Sequence, residues 1–333
     1  MASPADHPAP SAVWQPITPA RAQATRAGAV AVVLGYYNGN HFLPDQVRSI
    51  AGQTHRPVEL FITDDASPEP VDERPLSALA GDSLPIHLRR MPSNQGFVRN
   101  FVDGLAAVPE SFEYFAFSDQ DDIWYPEKLS RAVARLQAYP PETPALYCAR
   151  TCITDVTAAH ERGLSPLFKR PPSFANALLQ NIAGGNTMVF NRAARDLIVE
   201  TSDGQAIICH DWWCYQIVTG AGGTVVYDER PCLAYRQHPS SIIGANNSAR
   251  ERLVRILGLL NGRYRGWNHV NTRALLANRD RLTPTNQMRL DRFAASRRAR
   301  LPSRLQLFYQ SGAYRQPRSQ NAALWGALLL NRI

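Results

Sequence analysis

The sequence lacks any apolar run long enough to cross a bilayer. A spanning helix needs about 18–20 consecutive apolar residues, and the longest candidates, Ala29–Tyr37 and Ala322–Leu330, fall far short. Cysteine is scarce too. Cys148, Cys152, Cys209, Cys214 and Cys232 form an odd set with neither zinc-ligand nor CxxC spacing, which argues against a disulfide framework and fits a reducing cytoplasm. There is no GxGxxG fingerprint and no Walker A sequence, which argues against dinucleotide and P-loop readings. The start, 1–28, is rich in Ala and Pro and has no apolar core flanked by basic residues, so it reads as a disordered leader and not as a signal peptide.

Charge of one sign is also missing locally. Residues 250–333 carry seventeen Arg, no Lys and three acids, whereas residues 1–249 carry 19 basic and 25 acidic side chains. The net charge of +8 therefore hides an acidic body and a strongly basic tail. The tail, 249–333, interleaves its arginines with apolar residues: Leu253, Ile256, Leu257 and Leu260, then Leu305, Leu307 and Phe308, then Leu324, Trp325, Leu328 and Leu329. That spacing predicts amphipathic helices able to lie on an anionic membrane surface. Packing on the body or a dimer contact is the alternative.

What is present centres on Tyr114–Trp124, YFAFSDQDDIW. Its apolar start suits a strand buried on both faces. It ends in Asp119, Asp121 and Asp122, which repel one another unless a cation offsets them. Hard divalent ions, Mg²⁺ or Mn²⁺, take oxygen ligands and leave positions for phosphate and water. The competing reading is an acidic loop leading into a helix. Upstream, Ala29–Asn38 and Val58–Thr63 read as buried strands, Ile86–Arg90 as a short one, and Phe42–Ala51 and Gly96–Val108 as amphipathic helices. A helix with Pro126 near its first turn comes next. This alternation predicts an α/β fold with a mostly parallel central sheet built by crossovers and flanked by helices. Further on, Ala145–Thr151, Met188–Asn191 and Thr224–Asp228 read as strands and the stretch from His210 to Thr219 as a helix, with helices only from Arg250 onward.

Seven stretches in order resemble the family 2 glycosyltransferases of the GT-A fold, and among them the bacterial rhamnosyltransferase-like enzymes of surface-polysaccharide assembly. They are Tyr36-Tyr37-Asn38, Asp64-Asp65-Ala66-Ser67, Asn94-Gln95-Gly96-Phe97 with Arg99-Asn100, Ser118-Asp119-Gln120-Asp121-Asp122-Ile123-Trp124, Gly185-Asn186-Thr187, His210-Asp211-Trp212-Trp213 and Tyr235-Arg236-Gln237-His238. The resemblance implies a GT-A catalytic domain over 29–248, with a nucleotide-sugar half (about 29–124) and an acceptor half (about 125–248), and a C-terminal helical appendage.

It further implies that Asp65, with Tyr36 nearby, bonds the base or ribose, that Arg99 reaches base or phosphate, and that Asp119 contacts ribose. Asp121 and His238 would serve a metal bridging the diphosphate. Asp65 is alternatively a turn residue satisfying its own backbone, Arg99 an exposed helix arginine, and Asp122 a helix cap or buttress. A sugar hydroxyl is a weak nucleophile until a positioned carboxylate takes its proton; the resemblance gives that role to Asp211, which is alternatively an N-cap starting a helix. Trp212 and Trp213 beside it would stack on acceptor sugars, or else sit in the core. The reaction implied is a single displacement with inversion. It would move L-rhamnose from dTDP-rhamnose, or another sugar from a UDP- or GDP-donor, to a glycan or lipid-linked glycan. The enzyme would sit on the inner face of the cytoplasmic membrane. A nucleic-acid-binding protein finds no RNP, helix-turn-helix or zinc motif to support it. A non-catalytic sugar-binding module leaves the carboxylates unused, and the Gly-rich, Arg-containing loop of nucleotidylyltransferases is replaced by Gly35-Tyr36-Tyr37-Asn38.

Overall fold

The computed structural model describes residues 13–18, 27–81, 83–237, 263–316 and 318–333. Its strands are β1 Gln15–Pro16, β2 Val30–Tyr36, β3 Val58–Asp64, β4 Ile86–Arg90, β5 Tyr114–Ser118, β6 Ile123–Trp124, β7 Ala145–Thr154, β8 Glu161–Leu164, β9 Val189–Asn191 and β10 Thr224–Arg236. Its helices are α1 Leu43–Ala51, α2 Glu73–Ala80, α3 Phe97–Ala107, α4 Lys128–Leu136, α5 Phe174–Ala177, α6 Arg192–Ser202, α7 His210–Gly220, α8 Arg263–Ala277, α9 Pro284–Ser296, α10 Leu301–Ser311 and α11 Arg318–Leu329.

One sheet runs through the molecule in the order β1-β4-β3-β2-β5-β9-β7-β10-β6, with β8 on β7. Strands β4, β3, β2 and β5 are mutually parallel, so β2, β3 and β5 deliver their carboxyl ends to one edge. The apolar runs are explained by burial on both faces. Val30, Val32, Leu34 and Tyr36 of β2 enter one core layer, and Ala31 and Val33 enter the other. Each large apolar side chain so buried is worth about 1.5–3 kcal/mol.

Four features differ from the sequence reading. Strand β1 lies within the span expected to be a disordered leader: it pairs with β4, and Trp14 packs edge-on to Phe61 while its Nε1 donates to the Ala107 carbonyl at 2.8 Å. Strand β9 is antiparallel to both β5 and β7, so the sheet is mixed at its centre. Helix α2 fills the stretch between β3 and β4, where the sequence reading placed no element. Strand β10 continues through Pro231 to Arg236, because register shifts on either side of Pro231 absorb its missing N–H. Arg131 pins that irregular segment, donating to the Pro231 carbonyl at 3.0 Å and to Asp228 at 2.5 Å.

Helices α8–α11 close on the body. Leu275, Leu282, Phe293, Phe308 and Leu328 belong to the same apolar layer as Phe190 and Trp213. The Thr283 and Tyr314 N–H groups donate to the Gly220 and Ala175 carbonyls. Packing thus takes up Phe308, Leu324 and Leu328, while Trp325, Leu329 and Leu330 stay exposed. Leu253, Ile256, Leu257 and Leu260 lie outside the described residues. Among the described residues no helix is long and apolar enough to cross a membrane.

Candidate active site

A cleft of about 730 Å³ opens beyond the carboxyl ends of β2, β3 and β5, where open α/β sheets gather their ligands. Tyr36, Tyr37, Asp65, Gly96, Asp119 and Asp121 line it, and Gly185, Asn186, His210, Asp211 and Tyr235 close the opposite wall. A second cavity, about 260 Å³, is walled by Phe168, Ile182 and Tyr227. The two share Asp119, Gly185, Asn186, Asp211 and Tyr235.

At the exit of β3 the paired acids divide their work. Asp64 Oδ1 accepts the Ser67 N–H at 2.9 Å and closes the turn. Asp65 accepts the Gln95 and Gly96 N–H groups on its two oxygens, at 2.7 and 2.8 Å. It thereby fastens the entry of α3 to the sheet, and a carboxylate at a helix N-terminus also meets the positive end of the dipole. Gly96 sits at φ +82°, a conformation that favours glycine. Tyr36, fully buried at the end of β2, has its phenol pushed up to about 12 by burial.

The acidic loop is tied on three sides. Gln120 clamps the exit of β2: its Oε1 accepts the Tyr37 N–H at 2.8 Å and its Nε2 donates to the Tyr37 carbonyl at 3.1 Å. Arg236, almost wholly buried, donates from Nε to the Asp121 carbonyl at 2.5 Å and pairs with Asp45 at 3.0 Å. Asp122, fully buried, accepts from Asn186 Nδ2 at 2.7 Å. Burial, with the Asp121 and Asp211 carboxylates nearby, raises Asp119 to about 7. Burial, then Asp121 and Asp119, also holds the Asp122 carboxyl well above its usual range. Lys128 is the buried counter-charge. Its Nζ donates to the Asn186 carbonyl at 2.5 Å and stands 3.2 Å from the centre of the Trp124 ring, and burial lowers its pKa to about 7.

Asp211 begins α7. Its Oδ1 accepts the Trp212 N–H at 2.6 Å and its Oδ2 the Gly185 N–H at 3.2 Å. Desolvation outweighs these bonds and lifts its pKa to about 6. Beside it, His210 stacks on Phe101 with centroids 4.1 Å apart, and Phe117 meets it edge-on at 5.0 Å. Burial lowers its pKa to about 3, which leaves the ring neutral, and neither ring nitrogen has a hydrogen-bond partner among the described residues. Gly185 permits this approach, since an added Cβ would stand 2.6 Å from His210 Nε2 and 3.2 Å from the Asp211 Cβ.

The structure brings Tyr36, Asp65, Asp119, Asp121 and Asp211 to one cleft. It directs other candidates elsewhere. Trp212 and Trp213 are buried core residues, absent from the cleft wall, and Trp212 Nε1 donates to the Ala177 carbonyl at 2.7 Å. Arg99 pairs with Asp103 at 3.0 Å, one helical turn away, and reaches the Ser202 carbonyl at 3.4 Å, outside the cleft lining. His238 lies outside the described residues. The residues not anticipated are Gln120, Lys128, His210 and Arg236. Gln120, His210 and Arg236 had a signal, as members of the SDQDD, HDWW and YRQH stretches; Lys128 had none.

Asp119 and Asp121 offer the cleft carboxylate oxygens alone, the donor type that Mg²⁺ and Mn²⁺ prefer. Among the described residues no three His, Cys, Asp or Glu side chains form a complete cage. An ion held by one or two carboxylates takes its remaining ligands from phosphate oxygens and water. Burial first, and neighbouring carboxylates second, raise Asp119 and Asp122, so a cation beside them would favour their charged forms. The residues fit such an ion.

Comparison with known proteins agrees with this geometry. The chain is 27% identical over 243 residues to the dTDP-rhamnosyl transferase RfbG of Shigella flexneri, covering 68% of this chain and 79% of that one. It is 32% identical over 109 residues to the uncharacterized glycosyltransferase alr2836 of Nostoc, covering 32% of this chain and 33% of the relative. In fold it resembles residues 1–349 of S. aureus TarS, solved in complex with UDP-GlcNAc. The TM-score is 0.50 at 12% identity, covering 85% of this chain and 89% of TarS 1–349. The strand order and flanking helices are those of a GT-A fold. The model of glycosyl transferase family 2 matches residues 31–198, about half of the chain, from β2 into α6 and through the whole acidic loop, and the protein belongs to that family.

Proposed function

We propose that this glycosyltransferase moves a sugar from a nucleoside-diphosphate donor to a hydroxyl of a growing bacterial surface polysaccharide, with inversion at the anomeric carbon. One observation carries the reading: Asp211 stands on the wall shared by the two cavities. A donor in the larger cavity and an acceptor in the smaller would meet beside it. The acceptor O–H proton passes to Asp211 as its oxygen bonds the anomeric carbon. The C–O bond to the diphosphate breaks, and its electron pair leaves with the nucleoside diphosphate.

Tyr36 and Asp65 would bind the base or ribose. The lone pairs of Asp65 not used by the amides of Gln95 and Gly96 remain available to a ligand. Asp119 would contact the ribose. Asp121 and Asp119 would hold a divalent cation, which when bound would supply positive charge to the leaving diphosphate. Arg99 receives no donor contact in this scheme, and Trp212 and Trp213 act by packing the helix that carries Asp211.

The donor proposed is dTDP-L-rhamnose, supported by likeness to the Shigella enzyme; UDP- and GDP-sugars are the alternatives. The acceptor proposed is lipid-linked, and the protein would rest on the inner face of the cytoplasmic membrane. Exposed Trp325, Leu329 and Leu330 beside an arginine-rich surface support that placement. One experiment tests both parts. Nucleoside diphosphate release is measured across a panel of nucleotide sugars, with lipid-linked acceptor in anionic vesicles. The expected result is turnover of one donor class by protein that floats with the vesicles and detaches at high salt. Turnover of none, or flotation indifferent to lipid charge, would count against the corresponding part.

A further inference from the structure

A third cavity, of distinct chemistry, lies among the C-terminal helices. It measures about 470 Å³ and is formed by one face of α8 and the end of α9, sharing no residue with the two cavities above. Arg265, His269 and Arg273 line it from α8 at four-residue spacing, which stacks them along one helix face. Arg297 and Arg298 enter from the end of α9, and among the described residues no carboxylate lines it.

Among the described residues no acid in the lining compensates the pocket's charge. Arg297 is the half-buried member. Its Nη2 donates to the Arg265 carbonyl at 2.8 Å, while its buried Nη1 has no hydrogen-bond partner among the described residues. Burial, and then the charges of Arg265 and Arg298, lower its pKa to about 10. The described acids of this region face elsewhere: Asp291 pairs with Arg279 at 2.8 Å, and Asp280 lies 3.8 Å from Arg281. A buried guanidinium donor left unpaired amid like charges is costly. An anion in the cavity would offset the charge that Arg265, Arg273, Arg297 and Arg298 bring together there.

We propose that this pocket is an anion-binding site for a diphosphate group, separate from the donor cleft. Several planar guanidinium forks facing one cavity match phosphate oxygens two at a time, which single lysines do not. The volume exceeds that of one phosphate and admits a diphosphate with part of its ester substituent. Such a group reaches the protein either free in solution or on a lipid. The site does not depend on the transfer reaction proposed above.

The test uses the full-length protein and the doubly substituted Arg273→Gln/Arg298→Gln chain, both positions being exposed. Inorganic pyrophosphate is titrated calorimetrically in EDTA, so that metal-borne binding at the donor cleft does not contribute. In parallel, both proteins are floated with vesicles of neutral lipid containing or lacking a diphosphate-headed lipid. The variant should bind at least about tenfold more weakly in whichever arm the wild type binds, and that arm identifies the source. Relief of like-charge repulsion should leave the variant at least as heat-stable as the wild type in low salt without anion, with pyrophosphate or the lipid raising the wild-type midpoint only. Equal binding by the two proteins, no binding by the wild type in either arm, or a variant destabilised in the absence of anion would overturn the assignment.

Discussion

Asp211→Asn is expected to lower sugar transfer by about 10²–10⁴-fold, the range for loss of a general base, while donor affinity stays unchanged. The substitution keeps the side chain's shape and one acceptor for the short bond from the Trp212 N–H, so α7 retains its start. What it deletes is proton affinity at the wall between the cavities. The wild type carries its own check, because desolvation puts the Asp211 carboxyl at about 6 against an ordinary value near 4. The base form predominates above that pH. Wild-type transfer should therefore fall about tenfold per pH unit below 6, and the residual activity of the amide variant should lack that limb. Normal turnover by Asp211→Asn would reduce Asp211 to a helix-start residue and leave the base to be sought elsewhere.

Asp121→Ala should lower transfer by about 10²–10³-fold, the scale for loss of an electrostatic contact to a leaving group, and abolish its response to added Mg²⁺ or Mn²⁺. The fold should survive. The loop is held by the Asp121 carbonyl, through Arg236, and by Gln120, neither of which needs the Asp121 carboxylate. Deleting one carboxylate also relieves the repulsion that Asp119 and Asp122 feel from it. Thermal unfolding and a metal titration of both proteins, read by nucleoside diphosphate release, check the two halves. A variant that works at full rate in EDTA would remove the cation from the account.

The sequence disclosed those parts of the molecule whose physics is local. Strands buried on both faces, such as β2 and β5, show as unbroken apolar runs. Acids concentrated at a strand end show as a cluster, and the helix at His210 announces its own start. What stayed hidden depends on distant partners. Arg236 acts through Asp45, 191 residues away, and Lys128 through Asn186, 58 residues away. Gln120 closes on Tyr37 across 83 positions. Nothing in the composition of those stretches announces such contacts.

Two expectations failed for a related reason. Trp212 and Trp213 suit a sugar platform in composition, yet α7 is buried on nearly all sides and directs both rings into the core. The Ala- and Pro-rich start resembles a solvated leader, but Trp14 finds Phe61 and the Ala107 carbonyl, and that is enough to add β1 to the sheet edge.

The anomeric configuration of the first-formed product, read by NMR before it equilibrates, tests the central claim most directly. A single displacement assisted by Asp211 predicts the configuration opposite to that of the donor in every product molecule. Retention of the donor's configuration would require a different chemistry in this cleft and would contradict the role given to Asp211.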